Sequence, residues 1–112
     1  MRRRYLSVLL CCLAHTGPVS AIDAQTVEIL DASRPADIWV ITIHGFKDNA
    51  QFTIACHIDY ENCCMPPVGR RFRMREIQKR IYRGENVGLY DGSGNLFGIY
   101  VLCGSSAASC DL

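Results

Sequence analysis

Residues 51–58 read Gln51-Phe52-Thr53-Ile54-Ala55-Cys56-His57-Ile58. Every second side chain (Phe52, Ile54, Cys56, Ile58) is apolar, while Gln51, Thr53, Ala55 and His57 occupy the alternate phase. A period of two is the spacing of side chains on a pleated strand with one face buried, so the segment predicts a strand whose inner face carries a cysteine. Upstream, Lys47-Asp48-Asn49 breaks the pattern, and before the break Ile38-Trp39-Val40-Ile41-Thr42-Ile43 is dense in β-branched and aromatic residues, predicting a strand and a turn.

Downstream, residues 59–69 hold Cys63, Cys64, Pro66, Pro67 and Gly69. Consecutive prolines cannot donate to a ladder, so this is a loop. Phe72 and Met74 then alternate with Arg71, Arg73 and Arg75, predicting a strand with a buried face and a cationic outer face. Asn86–Tyr90 and Leu96–Cys103 flank Asp91-Gly92-Ser93-Gly94-Asn95, a glycine-rich hairpin connection. Ile77 and Ile81, four apart, suit one short helix near residues 75–83, whereas Ile81-Tyr82 equally suits another strand. The fold class expected is all-β: a small antiparallel barrel or sandwich of about five strands, stabilised by disulfides.

The organisation expected has three parts. Arg2, Arg3 and Arg4 precede the apolar run Leu6–Ala14 and the small residues Val19-Ser20-Ala21, the pattern of an export signal over residues 1–21. The apolar run is too short for a helix to span a bilayer. Residues 22–37 form a lead-in, with only a short apolar piece at Val27–Leu30, and residues 38–112 form a single small β domain with a short C-terminal tail. The expected location is therefore periplasmic or extracellular. Removing the signal leaves nine basic residues against eleven acidic ones, so the overall charge offers no argument for nucleic acid.

Five cysteines follow the signal: Cys56, Cys63, Cys64, Cys103 and Cys110. In so short an exported chain they read as a disulfide framework with one residue left over. Cys56 is expected to join Cys63 or Cys64, since neighbours on an extended chain point opposite ways and only one of the two can face it. Cys103 with Cys110 would pin the tail to the last strand. Metal binding by Cys56, His57, Cys63 and Cys64 is disfavoured, because adjacent Cys56 and His57 diverge and no Cys-x-x-Cys pair exists. Neither His44 nor His57 has a companion catalytic motif. Asp91–Asn95 starts like a calcium loop but has Leu96 where glycine is required, and it reads as a turn. No catalytic residue, metal or cofactor is assigned.

Residues 70–83 hold seven basic residues against Glu76 alone. Arg71, Arg73, Arg75, Lys79 and Arg80 make up the expected anion-binding face, and an acidic protein, a glycan or a lipid headgroup the expected partner. The function expected is that of an exported, non-catalytic binding domain. The alternative is a small cell-envelope inhibitor or structural protein acting through the cysteine- and proline-containing loop 59–69.

Overall fold

The computed structural model describes residues 24–78, 80–104 and 110; the expected export signal lies outside them. Six antiparallel strands run β1 (Gln25–Ser33), β2 (Ile38–Gly45), β3 (Ala50–His57), β4 (Arg71–Glu76), β5 (Asn86–Tyr90) and β6 (Leu96–Gly104). They close into a barrel in the order β1-β2-β3-β6-β5-β4, with β4 pairing back onto β1. Closure leaves no unpaired sheet edge. Val27, Ile29, Ile41, Ile43, Ile54, Cys56, Phe72, Met74, Val87, Leu89 and Tyr100 are buried in one cluster, and of these Ile54, Cys56, Phe72 and Met74 lie on the faces that alternation marks as inward. The register agrees, with Val27 facing Phe72, Ile41 facing Ile54, and Met74 facing Leu89.

The sixth strand comes from the segment read as a lead-in. Gln25, Val27 and Ile29 alternate inward, and β1 pairs with both β2 and β4, so residues 25–33 close the ring. A bulge between Ile29 and Asp31 shifts the register. It breaks the alternation after three inward residues, which hides the strand from a periodicity reading.

No helix forms near residues 75–83 among the described residues. β4 continues to Glu76, and the following connection folds back over the outside of the barrel. Ile77 and Ile81 pack on Tyr90, Leu96 and Ile99. Backbone donors that a helix would send four residues back go to Asn86 instead: Ile77 N–H to its carbonyl, and Ile81 and Tyr82 N–H to its side-chain oxygen. β5 is consequently buried on both faces. Each large side chain so covered contributes about 1.5–3 kcal/mol.

Two disulfides staple the periphery. Cys56 on β3 joins Cys63 in the following loop, and Cys103 on β6 joins Cys110 in the tail. Each closes a short loop, with an entropic gain of roughly 2–3 kcal/mol. Cys64 belongs to neither bond and is buried. The loop of residues 58–70 closes one end of the barrel: Ile99 N–H donates to Asn62 O at 2.9 Å, and the Tyr100 hydroxyl donates to Cys64 O.

Candidate anion-binding face

Phe72 and Met74 point into the barrel, so Arg71, Arg73 and Arg75 take the outer phase of β4. Alternate residues of a strand lie roughly 7 Å apart, so the three arginines form a row on this face, with Arg71 and Arg73 exposed and Arg75 half-buried. Neighbouring strands determine what each one meets. Arg71 lies 4.6 Å over the Phe46 ring, and its Nε is 3.5 Å from Glu28 on β1. Arg75 lies 5.5 Å over the Tyr90 ring on β5. Arg73, exposed between them, has no hydrogen bond or ion pair among the described residues. The outer two side chains are thus held against aromatic rings while the middle one is available.

Beside this row a shallow cleft of about 180 Å³ is lined by Thr26, Arg71, Arg73, Tyr90, Asp91 and Gly92. The Asp91 carboxylate at its edge is engaged locally, accepting the N–H groups of Ser93 and Asn95 at 2.9 Å and so fixing the hairpin turn. That is the turn expected from Asp91–Asn95, with Gly94 at φ 85°. Burial holds the Tyr90 phenol above the ordinary tyrosine value, and the positive charge of Arg75 partly offsets this. Among the described residues no group of three or more His, Cys, Asp or Glu side chains could hold a metal ion.

The structure brings together only part of the expected cationic cluster. Arg80 belongs to the connection that crosses β5 and β6, and its Nη1 donates to Arg83 O. Tyr82, two residues on, reaches as far as β3, where its hydroxyl accepts the His57 N–H. Arg80 and Arg83 therefore sit away from the β4 row, because the chain leaves β4 and doubles back. Lys79 lies outside the described residues. Arg70 sits over Phe72, 5.2 Å from the ring centroid.

The remaining singled-out residues make local contacts. Cys56 is held in a disulfide, His44 packs edge-on against Phe46, and His57 Nδ1 accepts the Asp59 N–H at 3.2 Å. Sequence reasoning missed Phe46, Tyr90 and Glu28. Each meets β4 only through strand pairing distant in the chain, and an exposed aromatic in a turn, Phe46, was the single local signal.

Fold and site together define a small, disulfide-stapled, closed β-barrel with an arginine row on one outer face. No family model matches the chain, and no curated protein or solved structure shows significant similarity to it.

Proposed function

We propose that the protein is an exported, non-catalytic binding domain that captures an anionic partner on the Arg71–Arg73–Arg75 face. The observation carrying this reading is Arg73: an exposed guanidinium with no hydrogen bond or ion pair among the described residues, flanked by two others held against Phe46 and Tyr90. A guanidinium held in place loses less side-chain entropy on binding, and a linear row favours a partner presenting several carboxylate, sulfate or phosphate groups in series. Export is supported by the arginine-led apolar segment at residues 1–21 and by two disulfides, which persist in oxidising compartments.

The test is binding to immobilised heparin, to polyglutamate and to vesicles containing phosphatidylglycerol, which separates glycan, protein and lipid sources of the anionic group. The charge reversal R71E/R73E/R75E should abolish binding to whichever probe is retained, and added salt should weaken it steeply. Binding that is unchanged by the reversal or insensitive to salt would overturn the proposal.

A second reading rests on the loop of residues 58–70. Met65 and Val68 are exposed there, on a segment anchored by the Cys56–Cys63 bond at one end and by Gly69 N–H to Ile29 O at the other. A tethered loop presenting apolar side chains suits an inhibitor or structural protein of the cell envelope. It predicts that M65D/V68D, rather than the arginine reversal, removes partner binding.

A further inference from the structure

The end of the barrel opposite the loop of residues 58–70 carries a cavity of about 240 Å³. Six strands make a narrow barrel whose interior is filled by isoleucine, leucine and tyrosine side chains, so a ligand can enter only at the mouth. Phe52, Met74, Val87 and Leu102 form an apolar lining. Two polar atoms in the wall break it. Gln25 is 8% exposed, and its Oε1 has no hydrogen-bond partner among the described residues. Arg75 lines the same cavity, and its Nε is also buried without a partner among the described residues. An unmet buried acceptor and an unmet buried donor each carry a desolvation penalty that a complementary ligand removes.

Gln25 shares the inward phase of Val27 and Ile29, and its Oε1 lies against Gly45, where a Cβ would fall 2.5 Å from it. Charges around the opening choose the sign of the ligand. Glu76 faces Val87 across the ladder and so shares its inward phase, while Glu85 and Asp48 also line the cavity. Against these three carboxylates stand Lys47 and Arg75, leaving the opening with an excess of negative charge. The volume suits a molecule of about ten non-hydrogen atoms, below the size of a typical drug-binding pocket.

We propose that this mouth binds a small amino compound. Its ammonium donates to Gln25 Oε1 near Glu76 and Glu85, a neutral oxygen accepts from Arg75 Nε, and a short apolar body packs on Phe52, Met74, Val87 and Leu102. The site shares Arg75 with the outer arginine row but does not involve Arg71 or Arg73 and does not depend on the anionic-partner reading.

The test uses 2-amino-1-phenylethanol as probe, with 2-phenylethylammonium (no oxygen), 1-phenylethanol (no ammonium) and phenylacetate (an anion) as matched controls, read by amide chemical shifts of the folded protein. The amino alcohol should give saturable shifts at Gln25, Phe52 and Val87. The compound lacking oxygen should bind several-fold more weakly, and the neutral alcohol and the anion at least about tenfold more weakly. Gln25→Met, which keeps shape and removes the acceptor, should weaken the probe by about tenfold. Glu85→Gln, a change at the rim, provides the same readout should the core variant fold poorly. Absence of saturable shifts, equal binding of 1-phenylethanol, or unchanged affinity in the folded variants would each overturn the proposal.

Discussion

Asn86 grips Tyr82 from both sides: its Oδ1 accepts the Tyr82 N–H at 2.8 Å while its Nδ2 donates to the Tyr82 carbonyl at 2.9 Å. The same amide accepts from Ile81 N–H and donates to Gly84 O, so one buried side chain of β5 organises the turn that covers the barrel's outer face. Asn86→Ala leaves several buried polar groups unmet and should cost about 2–4 kcal/mol, read as a lower urea midpoint. Asn86→Asp retains the acceptor but turns a donor into a charge facing two carbonyls, and should be no better tolerated. A loss below about 1 kcal/mol would show that water replaces these bonds.

Gly98 is where the loop of residues 58–70 presses on β6. A Cβ there would sit 2.5 Å from the Tyr100 hydroxyl oxygen and 2.9 Å from the backbone oxygen of Asn62. The backbone atom cannot swing aside, so Gly98→Ala should destabilise by about 1–3 kcal/mol. Gly92→Ala, with open space around it, supplies the comparison and should stay within about 0.5 kcal/mol.

The two disulfides should differ in their reach. Cys56–Cys63 ties a barrel strand to the loop that caps one end, so C56A/C63A should lower stability by about 2–3 kcal/mol, whereas C103A/C110A should mainly release the tail. Non-reducing peptide mapping of the exported protein checks the pairing, and its N-terminal peptide should begin at Ile22. A protein retaining residues 1–21 would contradict the export reading.

The arginine row should matter for binding far more than for folding. Arg71→Ala removes a ring contact and an exposed pair with Glu28, together about 0.5–1.5 kcal/mol, while Arg73→Ala should leave the melting temperature within error. Thermal melts run beside the binding assays separate the two effects.

Tyr90 supplies an alkaline signature. Its phenol is held above 10.0 by burial, so between the unfolded and folded values the native state keeps a proton that the unfolded chain has released. This contribution is complete below about pH 10 and falls away as pH rises through the folded value. In urea titrations at rising pH, Tyr90→Phe should flatten the decline. Arg75→Met, by removing the positive charge that favours the phenolate, should push the phenol higher still, measured by phenolate absorbance.

Much of the barrel is legible locally. Alternation at 51–58 and 71–75, the β-branched run at 38–43 and the hairpin signal at 91–95 report strand phase, because phase depends only on neighbouring residues and on which face is apolar. Cys56 on the inner phase with a vicinal pair just beyond it likewise narrows the disulfide to two choices. β1 escapes this kind of reading, since its bulge cuts the alternation short and its partners, β2 and β4, are brought to it only by ring closure.

By itself the sequence determined an all-β chain, the phases of β4 and the inward phase of β3, a framework of cysteines, and the cationic character of β4. The tertiary structure alone decided that the sheet closes, that the connection after Glu76 covers β5 and β6 instead of forming a helix, that Arg80 leaves the arginine row, and that Gln25 and Arg75 meet around one cavity. Periodicity is a property of residues two or four apart. These last features depend on pairings between strands far apart in the chain, whose register is fixed by packing the whole barrel at once.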